Sequence, residues 1–140
     1  MWSMIDANMH LRHSAYADFA AQARLQVLES LGFDSAEMEK LRVGPILFRE
    51  ELLYYREIRP NDTVRVTCQL SKCRKDGSRW SFLQEIYRSD EVKACEIHVD
   101  GAWVDLDKRK LASLDAMWSE RFLEMPKTPD FILEPIPEKR

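Results

Sequence analysis

Between residues 14 and 31 apolar side chains return at steps of three and four, as Tyr16, Phe19, Ala20, Ala23, Val27 and Leu31. That is the period of a helix with one packed face. Ser14 stands where an N-cap is wanted, and Gly32 where a left-handed C-terminal cap is wanted. Asp34 and Ser35, with Glu37 three residues after Asp34, open a short second helix that ends before Val43-Gly44-Pro45. From Ile46 the pattern changes to extended runs rich in β-branched and aromatic residues. Turn signals at Arg59-Pro60-Asn61-Asp62, Lys75-Asp76-Gly77-Ser78 and Ser89-Asp90-Glu91 divide these runs into four strands, at about 46–58, 62–73, 79–88 and 92–105.

Period-two alternation is clearest in Val64, Val66, Cys68 and Leu70 and in Cys95, Ile97 and Val99. Their neighbours Arg65, Thr67, Gln69, Glu96 and His98 then face water or another subunit. Strands this long, joined by tight turns, suit a curved antiparallel sheet wrapped around the helix at 14–31. A last helix is expected at about 114–124, with Leu114, Met117, Trp118 and Phe122 on one face, Ser113 as cap and Pro126 as stop. Residues 126–140 contain Pro126, Pro129, Pro135 and Pro137 and read as an extended arm without its own core. The expected architecture is α+β, with one domain over 1–125 and an arm over 126–140.

Composition narrows the function. The 140 residues carry a net charge of −3 with a pI near 5.7, so no overall basic field favours nucleic acid or an anionic membrane. Cys68, Cys73 and Cys95 lack metal-ligand spacing and fall among apolar stretches, as reduced thiols of a cytoplasmic protein do. No segment approaches the roughly 20 apolar residues of a membrane helix. The chain is therefore expected in the cytoplasm, with no metal and no partnership with nucleic acid or membrane.

Candidate chemistry concentrates in Asp6-Ala7-Asn8-Met9-His10-Leu11-Arg12-His13-Ser14-Ala15-Tyr16, which sets an acid, two histidines and a tyrosine between a short first strand and a helix N-terminus. A carboxylate there can activate water or attack directly, and unpaired helix N–H groups can hold a developing oxyanion. Thioesters need little more, because a thiolate leaves readily without a strong general acid. The bland reading of Asp6 is a loop carboxylate bonded to backbone N–H groups. That of His10 is a loop-locking hydrogen-bonder, and that of Tyr16 a packed pocket aromatic.

These residues resemble the hotdog-fold acyl-CoA thioesterases of the 4-hydroxybenzoyl-CoA thioesterase-like group. Asp6 and Tyr16 keep that group's ten-residue spacing, and His10 matches its signature histidine. Ala23-Arg24 matches a small residue and arginine further along the helix, and Tyr54 to Asp62 matches the tyrosine, proline and aspartate before the third strand. The resemblance covers about residues 1–106. It implies a hotdog fold, a long curved antiparallel sheet around a central helix, here with an extra C-terminal helix and tail. It also implies hydrolysis of an acyl-CoA thioester without a cofactor, and a homodimer or homotetramer with sheets joined edge to edge and acyl-CoA at the subunit interface. Asp6 becomes the nucleophile or general base and the backbone N–H at His13 the oxyanion donor, with His10 as a further catalytic candidate. Tyr16, Arg12, Asn8 and Glu51 are candidate substrate contacts. Met9 stands where the group commonly has Gly, and Arg12-His13 where it commonly has Asn-Asn.

Arg24, in an otherwise apolar helix, calls for a carboxylate partner such as Glu50 or Glu51. The clusters Lys72, Arg74, Lys75 and Lys108-Arg109-Lys110 could meet the phosphates of CoA, although such runs are more often solvated faces. The competing function is a hotdog protein that holds an acyl ligand without turning it over.

Overall fold

The computed structural model describes residues 13–59 and 61–137, with side chains from residue 15 onward. The short strand expected before Asp6 lies outside the described residues. Helix α1 spans His13–Ser30. It closes by a Schellman arrangement in which the Phe33 N–H donates to the Leu28 carbonyl (2.8 Å) and the Gly32 N–H to that of Glu29 (3.0 Å). Gly32 supplies the left-handed residue (φ 97°), and the turn drops Phe33 into the core. Helix α2, Ser35–Leu41, is capped by Asp34, whose Oδ1 accepts the Glu37 N–H at 2.8 Å, as the sequence predicts.

One sheet follows, in the order β1 (Val43–Tyr54), β5 (Lys93–Asp105), β4 (Arg79–Tyr87), β3 (Gln69–Arg74), β7 (Lys127–Glu134). Two short pieces complete it: β2 (Arg65–Val66) beside β4 and β6 (Lys110–Leu111) beside β5. All pairs are antiparallel except β3 with β7. The strand expected at 62–73 is thus interrupted between Val66 and Gln69. There the Thr67 N–H donates to the Glu85 carbonyl (2.8 Å), while the Glu85 N–H turns to the Thr67 hydroxyl (2.9 Å) in place of a backbone acceptor. The first long strand begins three residues earlier than expected and ends at Tyr54. Beyond it the Tyr55 and Arg56 N–H groups both converge on the Ala94 carbonyl (2.8 and 3.1 Å), and the ladder cannot continue.

The predicted alternation in β5 is present: Cys95, Ile97 and Val99 are buried, whereas Glu96 and His98 are half-buried on the other face. Gly101 is demanded by close approach. A Cβ there would stand 2.3 Å from the Trp80 ring and 2.5 Å from the Ile46 carbonyl oxygen.

Helix α3 is shorter than expected, Ala116–Phe122, and its cap is Asp115, which accepts the Trp118 N–H at 3.0 Å. Ser113, the expected cap, instead donates its hydroxyl to Asp76 (3.0 Å). Leu114, Trp118 and Phe122 face inward as predicted, but Met117 is exposed. Only the four-residue steps of that stripe meet the core. The core itself is aromatic. Phe33 lies 4.6 Å from Trp118, 5.0 Å from Trp103 and 6.2 Å from Phe122, centroid to centroid, so one residue joins the end of α1, the sheet and α3.

Within residues 126–140, expected as an arm without its own core, Lys127–Glu134 instead forms β7 of the same sheet. This strand is bonded to β3 through the Leu70 N–H on the Pro126 carbonyl (2.7 Å) and the Lys75 N–H on that of Glu134 (3.0 Å). Pro129 is tolerated because β7 is the outermost strand among the described residues, where a missing N–H costs no ladder bond.

The β3–β4 turn is organised by Asp76, whose carboxylate accepts from the Ser78 N–H (3.0 Å), the Ser78 hydroxyl (2.7 Å) and Ser113. Partial burial pushes its pKa up, but these hydrogen bonds and the charge of Arg74 outweigh that and hold it below the usual carboxylate range. A depressed folded pKa contributes stability that is present above the unfolded value of about 3.9 and is lost as pH falls through the folded one. Asp76→Asn should lower the urea midpoint at neutral pH and flatten its decline in acid. Parallel curves for variant and wild type would show that Asp76 is not the source.

Candidate active site

The site is built around the first turn of α1. The first N–H groups of any helix have no acceptor within it and carry the positive end of its dipole, and α1 begins at His13. Tyr16, one turn in, is 3% exposed and meets Tyr54 of β1 edge to face at 5.1 Å. Burial raises the Tyr16 pKa, with the Cys95 thiol adding and a backbone hydrogen bond at Ile58 opposing. The phenol is therefore protonated at neutral pH. Tyr54, on the same side, is likewise raised, first by burial.

Two turns further along α1 lies a polar bridge between helix and sheet. Gln84 is fully buried on β4. It donates from Nε2 to the Ala20 carbonyl (2.9 Å) and accepts from Arg24 Nη1 at its Oε1 (2.7 Å). Arg24 also faces Glu50 of β1 at 3.6 Å. Its carboxylate partner is thus Glu50, one of the two expected. Burial lowers the Arg24 pKa, and Glu50 opposes this. Next to the bridge is an apolar cleft of about 250 Å³ lined by Ala21, Leu25, Leu28, Pro45, Leu47 and Phe82, with Arg24 its one charged residue. Sequence reasoning overlooked Gln84. Its signal was a polar side chain on the inward phase of a strand, between Phe82 and Ile86.

Glu51 points away from α1. It is paired with Arg49 at 3.1 Å on the sheet's outer face, so the described structure does not bring it together with Tyr16. Asp6, Asn8, His10 and Arg12 lie outside the described residues, and of His13 only the backbone is described. His98 is outward as expected, 3.8 Å from Glu96. The three thiols are buried and free. Burial pushes Cys68 and Cys73 up to about 12 and Cys95 to about 11, so none is available as a thiolate nucleophile. Among the described residues no group of His, Cys, Asp and Glu is placed to hold a metal ion, and no helix is long and apolar enough to cross a membrane.

Tyr16 of α1 and Tyr54 of β1 thus form an aromatic pair between helix and sheet. The family model of the thioesterase-like superfamily matches residues 1–131. The chain belongs to the thioesterase-like superfamily. Its described architecture is that of the hotdog thioesterases, and the chemistry of the superfamily is hydrolysis of thioesters. The fold superposes on the DHNA-CoA thioesterase of Staphylococcus aureus with a TM-score of 0.79 at 23% identity, covering 89% of this chain and 84% of that one. A second S. aureus protein, solved in complex with CoA, gives 0.82 at 19%, covering 90% and 80%. The 1,4-dihydroxy-2-naphthoyl-CoA thioesterase of Synechocystis gives 0.76 at 13%, covering 87% and 89%. At these identities the likeness is one of fold. No curated protein sequence matches the chain.

Proposed function

We propose that this thioesterase-like protein hydrolyses an acyl-CoA thioester to the free acid and CoA, with Asp6 as nucleophile or general base. The observation that carries the reading is the superfamily match over residues 1–131, which includes Asp6, with His13 of α1 seven residues after it. In the general-base form, Asp6 takes a proton from water as the oxygen attacks the thioester carbon. The resulting oxyanion is held by the α1 N–H groups near His13. Collapse breaks the C–S bond, and the thiolate of CoA leaves with the proton. In the nucleophilic form, the Asp6 carboxylate bonds to the thioester carbon, the C–S bond breaks to release CoA as thiolate, and water then hydrolyses the mixed anhydride to the free acid and the Asp6 carboxylate. Tyr16, with Asn8 and Arg12, contacts the acyl end, and His10 orders the loop or assists proton transfer.

The working unit is proposed to be a homodimer or homotetramer joined through β1. That strand is twelve residues long and has no neighbour on its outer edge among the described residues. It exposes Leu47, Phe48, Leu53 and Tyr54, a combination that an isolated protomer does not leave uncovered. Three buried free thiols fit the reducing cytoplasm.

The test is release of free thiol from a panel of acyl-CoAs. Turnover of at least one member is expected, and the panel then names the acyl class. Tight binding of acyl-CoA with no turnover of any member would put the non-catalytic binding protein in its place.

A further inference from the structure

Overall charge gives no reason to expect an anionic surface as partner, but the fold gathers cations at one end of the sheet. β5 ends there and β4 begins, with Arg79 opposite Ala102, and the Trp103 N–H donates to the Ser78 carbonyl of the β3–β4 turn (3.0 Å). The segment after β6 returns to the same turn, where the Leu114 N–H donates to the Asp76 carbonyl (2.9 Å). Two basic stretches distant in sequence thereby become neighbours: Arg74, Lys75 and Arg79 around the β3–β4 turn, and Lys108, Arg109 and Lys110 around the β5–β6 turn. All are exposed except Arg74, which is half-buried. Among the described residues none of the six is in an ion pair. The acids between them are engaged elsewhere, Asp76 by Ser78 and Ser113 and Asp107 by Arg42 (2.7 Å). Glu134, opposite Arg74 in the β3–β7 register, also lies at this end. Cations still outnumber acids here, in a chain whose net charge is −3.

The β5–β6 turn also presents apolar side chains. Leu106 and Leu111 bracket the basic run, and they are 39% and 45% exposed. The hairpin that carries them is held firmly: Val104 and Asp105 pair with Leu111 and Lys110, and the Arg109 N–H donates to the Asp105 carbonyl (2.8 Å) with Arg109 in the left-handed region (φ 55°). The Asp105 carboxylate accepts the N–H groups of Asp107 (2.9 Å) and Lys108 (2.8 Å). A tip ordered in this way spends little further backbone entropy on binding. Unpaired cations interleaved with exposed leucines match a surface that is anionic outside and apolar just beneath.

We propose that this end of the sheet docks on an anionic lipid bilayer, with the lysines and arginines of the two turns facing lipid phosphates and Leu106 and Leu111 entering the headgroup layer. The contact is peripheral and needs no membrane-spanning helix. A nucleic acid would meet the same cations but offers no apolar layer for the two leucines, so the lipid surface fits both halves of the patch. The proposal is independent of the acyl-CoA reading, because Tyr16 and Tyr54 lie toward the opposite end of β1: Tyr54 pairs with Cys95, whereas Val43 pairs with Asp105.

The test is co-sedimentation of the full chain with vesicles of equal parts phosphatidylcholine and phosphatidylglycerol, against vesicles of phosphatidylcholine alone. Binding should require phosphatidylglycerol and should be lost at about 1 M salt, where the Debye length is about 3 Å. Each cation near such a surface is worth about fivefold in partitioning, so the triple variant Lys75→Gln, Lys108→Gln, Lys110→Gln should bind about a hundredfold more weakly. Leu111→Gln, which keeps every charge, should weaken binding several-fold by loss of apolar burial. All four side chains are exposed, so the far-ultraviolet spectra should match wild type. Failure to bind the mixed vesicles, equal binding to both vesicle types, or a triple variant that partitions like wild type overturns the proposal. Binding to a duplex oligonucleotide but not to vesicles, unaffected by Leu111→Gln, would assign the cations to nucleic acid and overturn it as well.

Discussion

Asp6→Asn should lower kcat for thioester hydrolysis by about 10²- to 10⁴-fold, the usual contribution of a positioned general base, while leaving the far-ultraviolet spectrum and the oligomeric state unchanged. The amide keeps the size of the carboxylate and removes its ability to take a proton or to attack. The α1 N–H groups remain, so residual hydrolysis above the uncatalysed rate is expected from oxyanion stabilisation alone. Acyl-CoA affinity should be nearly preserved, because the substitution keeps the side chain's size. A folded Asp6→Asn protein with wild-type kcat would remove Asp6 from the mechanism.

Phe33→Ala should produce the largest loss of stability from a single side chain, about 3–5 kcal/mol for truncating a fully buried phenylalanine. The ring contacts Trp103, Trp118 and Phe122, and deletion leaves a cavity that large neighbouring rings cannot readily collapse into. Against a typical domain stability of about 5–15 kcal/mol, that loss should lower Tm by roughly 10–20 °C. A melting curve of Phe33→Ala within a few degrees of wild type would mean that α3 does not lock onto the end of α1 through this residue. Phe33 stands directly after Gly32, so the same substitution also tests the helix C-cap. The Schellman bonds should survive, because they are made by the backbone.

Much of this was legible from residue order. The three-and-four spacing of Tyr16, Phe19, Ala20, Ala23, Val27 and Leu31 with the Gly32 stop defined α1, Asp34 with Glu37 defined α2, and the turn residues near 60, 76 and 90 delimited the sheet. Such signals are local, since caps, turns and periodicity act over a few bonds. The spacing of Asp6 to Tyr16 likewise exposed the candidate active segment, because its chemistry is contiguous in the chain.

What depended on partners distant in sequence was not legible. Choosing Glu50 over Glu51 for Arg24 required the register of β1 against β5 and the phase set by the bulge at Phe48. Ser113 lost the α3 cap to Asp115 because Asp76, thirty-seven residues earlier, draws its hydroxyl away. The proline-bearing segment became β7 because β3 had an open edge to accept it. The cationic end exists only because β4 and β5 pair, bringing Arg79 opposite Ala102 and the β3–β4 turn beside the β5–β6 turn. Sequence by itself placed α1, α2 and the turns that divide the sheet, and it nominated Asp6 as the candidate acid. Tertiary structure alone decided which charges are paired among the described residues, since ion pairing and burial are settled by neighbours that only the folded chain brings together.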